Sequence, residues 1–197
     1  MTVNGAMPAR SVRRTEGQSF EAVCARISRQ VVRDGARRIG FLPVDKPSRQ
    51  DPDRSPASRV VEHLAIALTG FIPSDVAIVP AWTAWPPPAP DEPAEAAGRM
   101  TVREIRPRVV EVRPRGCRDG TSAALALEHT LRSLSEDFAH VLVDLTGYEA
   151  LGVAPPTLGV CEAVVLVATV RQARLETLRN LSDQIPKSKH LGAILIG

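Results

Sequence analysis

Short, almost uninterrupted apolar runs set the terms for this chain: Ile39-Gly40-Phe41-Leu42, Val76-Ala77-Ile78-Val79, Val109 to Val112, His140-Val141-Leu142-Val143-Asp144-Leu145, Ala163 to Ala168, and Leu191 to Ile196. A strand with one wet face alternates apolar and polar residues, whereas runs of this kind must be covered on both faces. Helical periodicity fills the intervals. Phe20, Val23, Cys24, Ile27 and Val31 share one face of a helix expected over Ser19–Asp34, with Ser19 as N-cap and Gly35 as its stop. Further helices are expected over Ser58–Leu68, Thr121–Ser135 (carrying Leu125, Leu127, Leu131 and Leu134, and capped by Asp119) and Gln172–Ile185, with a looser helical stretch near Pro155–Val160. Strands alternating with amphipathic helices give an α/β fold: a doubly wound, mostly parallel sheet with helices on both faces.

The chain of 197 residues suits one such domain. It is expected over residues 18–197, after a flexible arm at 1–17 and around an insertion at 86–100. That insertion, Pro86-Pro87-Pro88-Ala89-Pro90 onward, is proline-rich and acidic and reads as an exposed, disordered loop. No apolar run approaches the roughly 18 residues of a membrane span, and no signal-type stretch opens the chain, so a cytoplasmic place is expected. Cys24, Cys117 and Cys161 lack metal-ligand spacing and read as free thiols. His63, His129, His140 and His190 fall in separate elements and read as surface or half-buried residues. The net charge of +3 and the scarcity of aromatic residues give no platform for nucleic acid. Arginines nevertheless crowd the N-terminal part, Arg10, Arg13, Arg14, Arg26, Arg29, Arg33, Arg37 and Arg38. Two readings stand: a solvated helix face with a frayed tail, or a docking surface for an acidic partner or anionic lipid.

The segment after the first apolar run deserves the closest reading. Between that run and the next helix stands Leu42-Pro43-Val44-Asp45-Lys46-Pro47-Ser48-Arg49-Gln50-Asp51-Pro52-Asp53-Arg54-Ser55-Pro56. Strand, loop and helix in this order is where nucleotide-binding proteins cradle phosphate with glycine N–H groups. This loop contains no glycine, and Pro47, Pro52 and Pro56 have no N–H to offer.

Several phrases, taken in order, resemble the cytoplasmic catalytic domain of bacterial tyrosine kinases. These belong to the MinD/ParA-like branch of P-loop proteins and act with polysaccharide chain-length regulators. The phrases are the helix before the first strand, His63-Leu64-Ala65-Ile66-Ala67-Leu68 after the loop, Phe138 to Gly147, Cys161 to Ala168, and the closing Leu191 to Gly197. Together they cover roughly Ser19 to Gly197. The resemblance implies a P-loop NTPase-like fold, and with it ATP and magnesium as cofactors of an active member. Set against that pattern, the glycine loop and its Lys-Ser/Thr pair are missing from their place beside the helix. Pro80 and Trp82 stand where the second motif has acids, and Ala84 where it has an arginine. Neither proline nor indole binds a hard cation. A single tyrosine, Tyr148, leaves autophosphorylation without an acceptor tail.

Asp144 survives. An aspartate at the end of a buried strand has the form of the acid that holds magnesium in P-loop proteins; it is equally the form of an aspartate that caps the following turn. The leading expectation is therefore a non-catalytic, kinase-like accessory or scaffold protein for cell-surface polysaccharide synthesis or export, without a cofactor. Its implied partner is a membrane-bound chain-length regulator or export protein, which would hold it at the inner membrane; a homo-oligomer is the other association implied. Arg26, Arg29, Arg33, Trp82 and Trp85 are the candidate partner contacts, the two tryptophans having a second reading in which they close the vacated pocket. The alternative is a divergent ATPase or tyrosine kinase using Lys46, Ser48, Arg49 or Arg54 for phosphate and Asp144 for metal and catalysis. A MinD- or ParA-like positioning factor is the third.

Overall fold

Helix α1 (Phe20–Asp34) turns Cys24, Ser28 and Val31 inward, and Gly35 ends it at φ +70°, donating its N–H to Val31 O at 3.0 Å. That is the left-handed residue that closes a helix at least cost as glycine. The chain then forms β1 (Arg38–Pro43), α2 (Pro56–Thr69), β2 (Val76–Pro80), β3 (Thr101–Arg106), β4 (Val109–Arg113), α3 (Gly120–Asp137), β5 (His140–Asp144), β6 (Ala163–Thr169), α4 (Leu175–Gln184) and β7 (His190–Ile196). The computed structural model describes residues 20–45, 55–81, 100–114, 117, 119–147 and 158–197.

Seven strands form one sheet in the order β3-β4-β2-β5-β1-β6-β7. Every neighbouring pair is parallel except β3–β4. One face is covered by α1 and α2, whose Val60, Val61, Leu64 and Leu68 pack with Phe41, Ile39 and Val165. The other is covered by α3 and α4, where Leu127, Leu131 and Leu178 meet Leu142's neighbours Val141 and Val143. The doubly wound α/β class expected from the apolar runs is the class observed. Among the described residues no helix is long and apolar enough to cross a membrane. Cys24 and Cys161 are buried, and burial pushes their thiols up to about 11 and about 12.

Some expectations need correction. Strand β3 was not foreseen: its Arg103, Glu104 and Arg106 look like loop, because an exposed edge strand has no need of apolar residues. It runs antiparallel to β4 and makes the sheet mixed. Leu125 is 63% exposed, on the outer face of α3 rather than with Leu127 and Leu131. Helix α2 starts at Pro56, two residues before the expected Ser58, because Ser55 caps it and proline suits the first helical position. Helix α4 starts at Leu175, after a turn in which Gln172 and Ala173 both donate to Thr169 O. His140 is buried, its Nδ1 beside Ala36 O at 2.9 Å, and burial pushes its imidazole below the usual range. The arm at 1–17, most of the insertion at 86–100, and Pro155 to Thr157 lie outside the described residues.

The β3–β4 turn holds Arg108 at φ 66°, a left-handed conformation that costs a non-glycine residue roughly 1–2 kcal/mol. Its guanidinium donates to Thr69 O at 3.0 Å, Ser74 O at 3.1 Å and Ile72 O, gathering the carbonyls that follow α2. Replacement by alanine keeps the strained backbone and loses the clamp, so Arg108→Ala is expected to lower stability by about 2 kcal/mol. Arg108→Gly relieves the backbone and should lose about half as much. Urea unfolding of the two variants checks the order.

Candidate functional site

Strand β1 sits between β5 and β6, and the chain leaves it towards β2 on one side and reaches β6 on the other. In sheets of this kind the crevice outside the carboxyl ends at such a reversal is where ligands bind. Here that crevice is bounded by the ends of β1, β5 and β6 and by the first turn of α2.

Asp144 closes β5 there, 2% exposed. Its Oδ1 accepts the Thr146 backbone N–H at 3.0 Å and the Thr146 hydroxyl at 2.6 Å. Its Oδ2 accepts the Ser58 hydroxyl at 2.5 Å. Ser55 Oγ completes the ring, lying 2.8 Å from Ser58 Oγ and 2.9 Å from Thr146 Oγ1. The ring joins residues 86 and 91 positions apart in sequence and fastens the start of α2 to the end of β5. Both readings of Asp144 therefore meet in one side chain. It caps its own turn, and it faces the serine of the helix that follows the loop.

The Lys-Ser/Thr pair that the sequence lacks beside the helix is here Ala57-Ser58, with the serine but not the lysine. Ser58 stands in the first turn of α2, with its hydroxyl on a strand-end aspartate. In P-loop proteins such a pair holds magnesium. Two oxygen ligands of that type are thus present, to which a hydrated cation of octahedral preference would add waters. The phosphate half fits less well. Pro56 has no N–H; Ser58 N–H is given to Ser55 Oγ at 3.0 Å and Arg59 N–H to Ser55 O at 3.2 Å. Ala57, wholly buried, carries no charge where a phosphate-facing lysine would precede the serine. Among the described residues the ring thus brings one carboxylate and one serine hydroxyl together, each already hydrogen-bonded, with no charge on Ala57 beside them.

At the neighbouring strand ends, Asp45 Oδ2 accepts Thr169 N–H at 2.7 Å and ties β1 to β6. Pro80, opposite Asp144 in the β2–β5 register, is buried and brings no acid to the site. No group of three or more His, Cys, Asp or Glu able to hold a metal ion occurs among the described residues. Lys46, Ser48, Arg49, Arg54, Trp82, Trp85 and Tyr148 lie outside the described residues. Arg26, Arg29 and Arg33 are exposed on α1; Arg33 meets Asp34 at 3.3 Å and Arg29 Nε donates to Ala25 O at 3.4 Å. Sequence reasoning missed Ser55, Ser58 and Thr146. The one local signal was Ser55-Pro56-Ala57-Ser58, a capping serine before a helix-starting proline.

No family model matches this chain, and no curated protein matches it in sequence. Solved structures do. The kinase domain of VpsO superposes with a TM-score of 0.61 at 12% identity, over 89% of this chain and 94% of that one. The BceF tyrosine kinase domain gives 0.60 at 14% identity, over 90% and 75%. The kinase domain of Escherichia coli tyrosine kinase ETK gives 0.58 at 13% identity, over 95% and 83%. At these identities the likeness is one of fold: the chain has a fold similar to that of bacterial tyrosine kinase domains.

Proposed function

We propose that this protein, folded like a bacterial tyrosine kinase domain, works by binding rather than by phosphoryl transfer. It serves as an accessory or scaffold in cell-surface polysaccharide synthesis or export, with a membrane-bound chain-length regulator or export protein as partner. The observation that carries the loss of chemistry is the hydroxyl ring. Both oxygens of Asp144 are engaged by Ser58 and Thr146; at the start of α2 Pro56 has no N–H, and the N–H groups of Ser58 and Arg59 are given to Ser55. A phosphate arriving there would compete with bonds the chain already makes. The pathway rests on the fold likeness together with the ordered phrases of the sequence, and on nothing at the site itself. The partner places the protein at the inner membrane, with no cofactor of its own. Calorimetry with ATP and magnesium should give no binding heat at micromolar to millimolar nucleotide; micromolar affinity would overturn the reading.

One observation favours a second reading, a divergent ATPase or kinase. Ser58 and Asp144 are the two groups that share magnesium in P-loop enzymes, and they lie within one hydrogen bond of each other. Lys46 or Arg54 would then have to supply the charge that Ala57 lacks. Magnesium-dependent ATP hydrolysis that vanishes in Asp144→Asn, with the fold retained, would establish it.

A further inference from the structure

We propose that the edge of β7, which has no neighbouring strand among the described residues, takes up an extended, acidic and apolar segment of a partner protein as an eighth strand. The two edges of the sheet are built differently. Strand β3 carries Arg103, Glu104 and Arg106, the charges that discourage strand pairing. Strand β7 (His190–Ile196), by contrast, carries no Asp, Glu, Lys or Arg, and all of it except Ile194 is only half-buried. Val170 N–H donates to Ile196 O at 2.8 Å, so Ile196 faces β6. By the alternation of a strand Ile194 does too, and Ala193 and Leu195 turn their N–H and C=O groups outward.

A groove of about 700 Å³ lies along this edge, with α1 on one side and α4 on the other. Its apolar part includes Val23, Ile27 and Leu178, and Leu175 at its rim is 62% exposed. An added strand would therefore find apolar cover for side chains pointing either way. The charged part of the lining is Arg26, Arg33 and Arg179, without a carboxylate. Arg33 shares its charge with Asp34, so Arg26 and Arg179 decide the sign. A second copy pairing β7 with β7 would set these arginines against their own counterparts. Acidic residues flanking an apolar run satisfy both features, with main-chain bonds giving affinity and the rim giving selectivity. The inference deepens the binding role proposed above but rests on this edge alone. ATP binding would sink that role and leave this surface standing.

The test uses a synthetic peptide of alternating valine and threonine flanked by aspartates, with a lysine-flanked copy as control. The aspartate peptide should bind and should slow amide exchange at Ala193 and Leu195, leaving Ile194 and Ile196 unchanged. Arg26→Glu with Arg179→Glu, both on the surface, should weaken it about tenfold and favour the lysine peptide. Three results would overturn the proposal: neither peptide binds, both bind equally, or the Ala193 and Leu195 amides become protected by raising the protein concentration alone, which would give the edge to a second copy.

Discussion

Asp144→Ala is expected to lower the unfolding free energy by about 3 kcal/mol, among the larger effects a single substitution has in a domain of this size. Among the described residues the alanine removes the acceptor for the Ser58 hydroxyl, the Thr146 hydroxyl and the Thr146 N–H. Each stranded buried donor costs about 1–3 kcal/mol. The sum falls short of three full penalties because Ser55, Ser58 and Thr146 can turn their hydroxyls towards one another. Asp144→Asn keeps one oxygen and can donate to Ser58 Oγ, so it should lose about half as much. Urea unfolding at neutral pH measures both. The sign also separates the two functional readings. An aspartate kept for structure stabilises the fold, whereas one kept for metal chemistry sits in a site organised for its ligand and is often neutral or costly without it. If Asp144→Ala proved as stable as the parent or more so, the ring would no longer support a binding-only role.

Gly40→Val should do comparable damage from the other side of the strand pair, with a loss of about 3 kcal/mol and poor recovery of folded protein. Gly40 lies in the middle of β1, paired with Val143 of β5 and Val164 of β6. A Cβ placed there would come within 2.9 Å of Leu145 Cδ1 and 3.0 Å of Cys161 Sγ. Space rather than backbone conformation makes this position glycine. Gly40→Ala asks only that Leu145 and Cys161 give way by a few tenths of an ångström, and about 1 kcal/mol is expected. Adding Cys161→Ala to Gly40→Ala should recover part of that loss, a non-additive result that thermal unfolding can read. Equal losses for Gly40→Ala and Gly40→Val would mean that the crowding is not at this contact.

What the sequence determines here is local. A short, almost wholly apolar run bounded by turn residues suits a strand covered on both faces, and the spacing of Val60, Val61, Leu64 and Leu68 suits one face of a helix. From such periods follow the α/β class, most element bounds, the Asp119 cap of α3 (Ser122 N–H to Oδ1 at 2.8 Å) and the Gly35 stop of α1. Asp144 is legible for the same reason, since the apolar run ends on it. Strand β3 is illegible because an exposed edge imposes no apolar pattern. The order of strands, the crowding at Gly40 and the partners of Asp144 have no local signature either. Ser58 would read identically as a solvated residue in the first turn of any helix. Only the parallel pairing of β1 with β5 carries α2 across the crevice and sets that hydroxyl on a carboxylate 86 residues away. The period of a segment is fixed by its own residues, but what a polar side chain touches is fixed by where the sheet puts its neighbour.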